Sequence, residues 1–289
     1  MSKQGNIYIG TSGWSYPSGE GTWKGYFYPS GKINELEYYS RFFNTVEINS
    51  SFYRPPNPGY VYNWAKRVPD GFLFTVKLWQ KFTHPKMFTE STGREATISR
   101  DDVDIFKRSI EPLSQSGKLG ALLAQFPPAF KNDEYGKQIL NAIINTFSEY
   151  RLAVELRHRS WSDDSNISQM LKNNNAAWVN IDEPKFESSV ASDIPVTSDM
   201  AYFRFHGRNR ENWWTGTRET RYKYLYSGGE IEELTNRVSA AATGTKLLFA
   251  FFNNHWQGYA PRNAVSMINK LQLPFRVIPV QNRLPYDNA

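Results

Sequence analysis

Cysteine is absent from this chain of 289 residues. Its absence excludes disulfide bridges, thiol nucleophiles, zinc knuckles and iron–sulfur clusters held by thiolates. Long apolar runs are also missing: no stretch approaches the roughly 18 residues that a membrane span needs, and the start, MSKQGNIYIGTSG, contains no apolar signal core. We therefore expect a cytoplasmic protein without a membrane partner.

Acidic side chains are the minority among the charged ones. The chain has 28 Asp and Glu against 34 Lys and Arg, a formal net charge of +6. This moderate excess favours anionic ligands without requiring them, and it would serve solubility equally well. Aromatic residues are abundant at 16%, so flat rings are available for a ligand site as well as for a core.

Eight short apolar segments predict buried strands. They begin near Ile7, Thr45, Phe72, Leu119, Leu152, Ala176, Ala201 and Lys246. Most are separated by apolar stripes at helical spacing, although the sixth helix, around Lys185 to Ser192, is weak. This alternation predicts a single (β/α)8 TIM-barrel-like domain over residues 1–289. A doubly wound open sheet is the alternative, but the G-x-G-x-x-G turn expected after its first strand is missing.

Three long connections follow predicted strands 1, 3 and 7. They cover residues 12–32, 79–100 and 207–229, and the first is rich in aromatic rings. In a TIM barrel the loops after strands lie at the mouth where active sites form. We therefore expect the functional residues at this end of the barrel.

Polar residues occupy alternate positions in five of the predicted strands, and alternate side chains of a strand share one face. Their apolar neighbours would face the helices, so the charges would face the barrel axis. The axial set is Glu47, Lys77, Glu155, Arg157, Asp182, Arg204 and His206, joined by Gln125 and by Asn253 or Asn254. Because burial of one unpaired charge costs several kcal/mol, these groups must pair with one another or meet a ligand. An internal ion-pair network and a functional pocket at the strand ends both fit, and we expect the pocket.

The candidate site residues fall into two groups. The predicted catalytic residues are Glu47, Glu155, Asp182 and His206. The predicted ligand-binding residues are Trp14, Tyr53, Lys77, Gln125, Arg157, Arg204, Asn253, Asn254 and His255. His84 and His158 are interpreted as ordinary hydrogen-bonded histidines.

Three kinds of chemistry remain open for such a site. Glu47 and Glu155 would be the carboxylate pair of a glycoside hydrolase, although Arg157, two residues from Glu155, would lower a carboxyl pKa and spoil a general acid. A divalent metal held by Glu47, Asp182, His206 and His255 is not favoured, because no H-E-x-x-H or H-x-H motif supports it, and no cofactor is identified.

The third option uses the cations. Lys77, Arg157, Arg204, Arg208 and Arg210 would hold a phosphate-bearing ligand or a nucleic-acid backbone. Trp213, Trp214 or Trp23 would then stack on a base. This reading predicts a small anionic ligand or nucleic acid as partner, bound either by a hydrolase of phosphate esters or by a non-catalytic binding protein.

Eight sequence blocks resemble one known family. They are GTSGWSY, WKGYFYP, TVEINSSFYRPP, FTVK with TH, QFPP, VELRHRSW, TSDMAYFRFHGRN and FFNNHWQGYAPRNA. In this order they are similar to the YecE-like family, domain of unknown function 72. The resemblance implies a TIM-barrel-like bacterial protein without a settled activity.

A proposed relationship of such proteins to the endonuclease IV type of barrel would imply DNA or phosphate chemistry. This chain departs from that enzyme's pattern because it holds only four histidines, too few for that enzyme's numerous metal ligands. The stretch SGEGT between Tyr16 and Trp23 is interpreted as a local insertion in the first loop.

Overall fold

The structure, a computed structural model, describes residues 6–274, apart from the side chains of residues 218 and 219. The predicted domain ends, 1–5 and 275–289, lie outside the described residues. The strands are β1 Asn6–Thr11, β2 Thr45–Ile48, β3 Leu73–Lys77, β4 Leu119–Gln125, β5 Leu152–Glu155, β6 Ala177–Trp178, β7 Asn180–Asp182, β8 Met200–Phe205 and β9 Leu247–Phe252. Each predicted strand begins within one residue of its expected position, and the sixth is divided into β6 and β7.

Helices follow most of the strands. They are α1 Glu35–Tyr39, α2 Pro58–Arg67, α3 Gln80–Thr83, α4 Pro85–Thr92, α5 Arg100–Gln115, α6 Glu134–Thr146, α7 Arg159–Ser162, α8 Ser165–Asn173, α9 Arg218–Arg221, α10 Gly228–Ala242 and α11 Tyr259–Lys270. Several of them begin at polar caps: for example, the side chains of Asn57, Asp133 and Asp164 accept from the backbone N–H of Gly59, Gly136 and Asn166. Among these described helices, none has the length and apolarity that crossing a membrane demands.

The weak sixth helix is not formed. The segment between β7 and β8 contains turns and an isolated bridge between His158 and Ser189, but no helix. Thr197 in this segment accepts a 2.8 Å hydrogen bond from the backbone N–H of Trp178. A side chain therefore takes a donor that would otherwise pair within the sheet, at the point where the sixth strand divides.

All strand pairs are parallel, but they form two sheets rather than one closed sheet. One has the order β1-β9-β8-β7 and the other β2-β3-β4-β5-β6. At the first seam, β1 and β2 share only the bridge between Ser12 and Glu47. At the second seam, residues 177–182 supply β6 to one sheet and β7 to the other. The order of neighbours is that of a TIM barrel, so the fold is TIM-barrel-like, while the expectation of one closed cylinder is corrected.

The interior below the mouth is filled by aromatic rings. Tyr202 lies between Phe249 and Phe251, with ring centroids at 6.0 and 5.3 Å, and its hydroxyl is 2.9 Å from that of Thr75. Phe249 also contacts Tyr8, at 5.3 Å. These rings form a packed layer of the kind that fills the interior of a TIM barrel.

The first seam depends on a glycine, which gives a first prediction. A Cβ atom at Gly10 would lie 2.2 Å from the carbonyl oxygen of Thr45, a backbone atom that cannot rotate away. We expect Gly10→Ala to lower the free energy of unfolding by roughly 1–3 kcal/mol, measured by urea denaturation. Gly228→Ala, at a helix start with nothing within 4 Å, is the control and should not destabilise. Equal stability of the two variants would show that the close approach is unnecessary.

Candidate functional site

The centre of the barrel holds one arginine between two carboxylates. Nη2 and Nε of Arg204 lie 2.7 and 3.0 Å from the two oxygens of Glu47, and its Nη1 lies 2.6 Å from Glu155. Arg204 is only 2% exposed and both glutamates are fully buried. Tyr202 donates a further 2.7 Å hydrogen bond to Glu47. The axial parity of the sequence therefore does bring these side chains together.

A second arginine extends this network towards the mouth. Arg157 contacts Glu155 at 2.6 Å and Glu183 at 3.2 Å, and its Nη2 lies 3.1 Å from Nε2 of His206. The other ring nitrogen of His206 is 2.9 Å from the side-chain amide of Asn253. Both nitrogens of this buried imidazole are thus engaged.

Two pKa values in this network argue against acid–base roles. Burial alone would raise the pKa of Glu155, but the charges of Arg157 and Arg204 outweigh it and hold that pKa well below its usual range. Burial, with the charge of Arg157, lowers the pKa of His206 to about 3. Near neutral pH Glu155 is therefore ionised and His206 neutral, and neither can donate a proton as a general acid.

Above the network lies a cavity of about 420 Å³, which we call the mouth cavity. Seven of the predicted site residues line it: Tyr53, Lys77, Gln125, Arg157, Arg204, Asn253 and His255. The other lining residues are Tyr16, Asn49, Phe52, His84, Met87, Pro127, Pro128, Trp213, Trp214, Arg221 and Tyr222. Among the residues that the structure describes, no Asp or Glu side chain lines it.

The predicted catalytic residues do not lie on the surface of this cavity. Glu47, Glu155 and His206 are beneath its floor, fully buried. Asp182 belongs to a different group: it accepts hydrogen bonds of 2.7 Å from Tyr226 and from Arg208. The parity argument placed these residues on the correct strands but could not distinguish the floor from the surface.

Two predicted ligand-binding residues also lie elsewhere. Asn254 is fully buried and donates 2.8 Å hydrogen bonds to the carbonyl of Tyr224 and the side chain of Asn263. Trp14 lines a separate surface cavity and packs edge-on against Trp64, with ring centroids 5.2 Å apart. Both therefore belong to the walls of the fold rather than to the mouth cavity.

The expected cationic loop contributes less than its sequence suggests. Arg208 pairs with Asp182, and also with Glu230 and Glu233. Arg210 places its guanidinium 5.2 Å from the ring centroid of Phe186, outside the mouth cavity. Trp23, expected as a stacking platform, is fully buried and donates a 2.6 Å hydrogen bond to the carbonyl of His255.

Several lining residues were not selected from the sequence. Asn49 follows β2 on the same parity as Glu47, and Pro127 and Pro128 follow β4, so position just beyond a strand was a usable signal. Arg221 is the last residue of the short helix α9 and Tyr222 follows it, both within the long connection between β8 and α10. No pattern marks such residues, because a long loop can take many paths back to the mouth.

Lys77 and His84 both line the cavity, and the pKa of each side chain is lowered. Burial and the charge of Arg204 lower the pKa of Lys77 to about 7. Burial and the charge of Lys77 lower the pKa of His84 to about 3, and its Nδ1 lies 2.9 Å from the hydroxyl of Thr83. The interpretation of His84 as a hydrogen-bonded histidine fits this contact, yet the ring also lines the cavity.

The metal hypothesis lacks a ligand set in the described part of the chain. Between residues 6 and 274, no three His, Asp or Glu side chains group together as metal ligands would. Of the four residues considered, Asp182 is bound to Arg208, while Glu47 is bound to Arg204. These two carboxylates therefore do not converge on one ion.

The buried network gives a second prediction. We expect Glu155→Gln to lower the free energy of unfolding near neutral pH by roughly 3 kcal/mol or more, because it leaves two buried guanidinium groups short of a negative charge. A depressed folded-state pKa stabilises the protein above the unfolded pKa of roughly 4.3, and this contribution is lost as pH falls through the folded value. The difference between wild type and variant should therefore narrow in acid, as measured by urea unfolding across pH.

Glu149→Gln is the matched control for that prediction. Glu149 also has a lowered pKa, through its hydrogen bond to Lys107, but its side chain is 56% exposed. An exposed pair contributes at most about 1 kcal/mol. If both variants lost the same stability, the central network would not be the stabilising element described here.

Comparison with known proteins agrees with this architecture. The family described as "Protein of unknown function DUF72" matches residues 8–287. The UPF0759 protein YunF of Bacillus subtilis is 30% identical over 282 residues, which cover 93% of this chain and 96% of YunF. The UPF0759 protein YecE of Escherichia coli K12 is 29% identical over 154 residues, 53% of this chain and 48% of YecE.

Solved structures show the same relationship. The crystal structure of a DUF72 family protein from Thermotoga maritima MSB8 is similar with a TM-score of 0.80 and 36% identity, over 92% of this chain and 99% of that one. A DUF72 family protein from Enterococcus faecalis V583 gives 0.77 and 27%, over 93% and 98%. The match in sequence and in fold extends over nearly the whole chain, and the protein therefore belongs to the DUF72 family, the YecE-like family that its sequence blocks resemble.

Proposed function

We propose that the mouth cavity binds a small anionic molecule with a flat ring, of the size of a mononucleotide. The observation that carries this proposal is the charge of the lining: Lys77, Arg157, Arg204 and Arg221 contribute to it, and no described acidic side chain does. A cavity of about 420 Å³ is within the size range of small-molecule sites. Because no described carboxylate lines the cavity beside these cations, an oxyanion of the ligand would be their partner there.

The four cations divide into two that are already paired and two that are not. Arg204 is paired with Glu47 and Glu155, and Arg157 is paired with Glu155 and Glu183. Lys77 makes no ion pair with a described residue, and Nε of Arg221 is buried without a hydrogen-bond partner among them. Both groups are therefore available to a ligand, with Arg221 as the cation for its phosphate or carboxylate.

A second buried atom without a hydrogen-bond partner indicates another group that the ligand would carry. Oδ1 of Asn49 is buried and has no hydrogen-bond partner among the described residues, and Asn49 lines the same cavity. Because a buried polar atom without a partner is costly, a ligand that offers an N–H or O–H to Asn49 and an oxyanion to Arg221 would satisfy both. Rings of Phe52, Trp213 and Tyr222 in the lining supply surfaces for a flat ligand.

The geometry does not support the glycoside hydrolase alternative. Glu47 and Glu155 are both bonded to the guanidinium of Arg204 and lie beneath the cavity floor. A general acid must reach the substrate and must carry a proton, and Glu155 satisfies neither requirement. Hydrolysis of a phosphate ester would have to use bases on the cavity surface, such as His84 or His255, rather than the catalytic residues predicted from sequence.

Nucleic acid remains a partner to test because one large ring lies at the rim. Trp214 lines the cavity, is 56% exposed and packs near Phe186. A strand could place one nucleotide in the cavity and stack the next base on Trp214. The small ligand is the simpler proposal, since the cavity has the volume of one nucleotide and not of a duplex.

The proposal predicts selective binding of the anionic form of one probe. Titration calorimetry at low salt should show that a nucleoside monophosphate binds more tightly than its nucleoside. We expect Arg221→Gln to weaken the monophosphate by about 10-fold or more, the loss of a charge-assisted hydrogen bond, without lowering the thermal midpoint. Arg108→Gln removes the same charge from an exposed position on α5 and should leave the affinity unchanged.

Salt dependence decides between the two kinds of partner. An oligonucleotide that binds through several phosphates should lose affinity steeply as salt rises, whereas a single phosphate should show a shallow dependence. Equal affinity for the nucleoside and its monophosphate, or no binding of either at low salt, would overturn the anionic site.

A further inference from the structure

Lys77 is an unusual amine within the mouth cavity. It is the last residue of β3, is half-buried, and its Nζ lies 3.9 Å from the ring centroid of Phe52. Nζ makes no hydrogen bond or ion pair with any residue in the described range. Two other partly buried lysines differ: Lys81 is bonded to Asp102 at 2.8 Å, and Lys118 to backbone carbonyl oxygens at 2.7 and 2.8 Å.

The surroundings of Lys77 favour the uncharged amine. The face of the Phe52 ring attracts an ammonium ion, but a half-buried position gives that ion little solvation, and the guanidinium groups of Arg204 and Arg157 repel it. These effects exceed the attraction of Glu155 and Glu47, so the pKa falls to about 7. A large fraction of the amine is then unprotonated near neutral pH, and an unprotonated amine with a free lone pair is a nucleophile.

We propose that Lys77 forms an imine with the carbonyl group of a small anionic aldehyde or ketone bound in the mouth cavity. The inference rests on the proposed anionic site and adds the chemical class of its ligand. Arg221 and Arg157 line the same cavity as Lys77, so a phosphate or carboxylate held by them would bring an attached carbonyl carbon within this small volume. The amine at the strand end is the nucleophile that the carbonyl would meet.

The step is balanced without an oxidant or a metal. The lone pair of Nζ forms the C–N bond while the C=O π electrons move to oxygen, and a proton passes from nitrogen to that oxygen to give a carbinolamine. Loss of the hydroxyl with the second amine proton releases one water and leaves the C=N bond. Neither carbon nor nitrogen changes its net oxidation state, and hydrolysis reverses the step.

Reductive trapping tests the inference on the unmodified protein. The full chain is incubated near neutral pH with pyruvate, an anionic ketone, and sodium cyanoborohydride, which reduces an imine to a stable secondary amine. Peptide mass spectrometry then reports which lysines carry the adduct. We expect Lys77 to be labelled at least about 10-fold faster than exposed lysines outside the mouth cavity, such as Lys24 and Lys32.

Four controls tie the label to the site. Inorganic phosphate should compete with labelling of Lys77, and Arg221→Gln should slow it. Acetone, a ketone without the charge, should label Lys77 more slowly than pyruvate does. Lys77→Arg retains the charge and should lose the adduct while the folded protein remains.

The outcomes separate this inference from the proposed function. If Lys77 is labelled no faster than Lys24, the imine is wrong. If in the same preparation the nucleoside monophosphate still binds and Arg221→Gln still weakens it, the anionic site stands without the imine. Equal labelling by acetone and pyruvate would overturn the assignment of an anionic carbonyl ligand.

Discussion

The contact between Arg204 and two glutamates is the interaction on which the rest of the structure depends. Arg204 belongs to the sheet β1-β9-β8-β7, whereas Glu47 and Glu155 belong to the other sheet. At the two seams the backbone ladder is interrupted, so these side chains join the sheets across the interior. Because each group is fully or almost fully buried, removal of any one would leave its partners short of a compensating charge. The network therefore has a structural role, which is to hold the two sheets together.

This ion-pair network also determines which charged side chains a ligand can contact. Arg204 and Arg157 both line the mouth cavity, but their carboxylate partners lie below and beside them. The cavity floor therefore exposes the two arginines to a ligand, whereas Glu47 and Glu155 do not line the cavity. Lys77 lies among these cations without an acid of its own, which explains why its amine is destabilised as an ion. The same arrangement accounts for an acid-free lining and for a nucleophile within it.

Much of this architecture could be predicted from the sequence, because a strand's parity is local. Alternation placed Glu47, Glu155 and Arg204 on axial faces. The pairing of the axial charges could not be predicted, since Arg204 is 157 residues from Glu47 and 49 from Glu155. Local patterns say which face a side chain occupies, but not its height along the barrel or the neighbour that neutralises it.

Asp182 and Arg208 lie away from the mouth cavity because they bind each other. Asp182 has the axial parity of its strand, yet Arg208 from the next loop offers it a two-point contact at 2.7 and 3.0 Å, and Tyr226 adds a hydrogen bond. Because Asp182 and Arg208 bind each other, neither side chain lines the mouth cavity. Arg221, farther along the same loop, has no such carboxylate at its buried Nε. Asp182 is bound to Arg208 and Tyr226 and does not line the mouth cavity, so among the described residues the lining keeps Arg221 without a carboxylate.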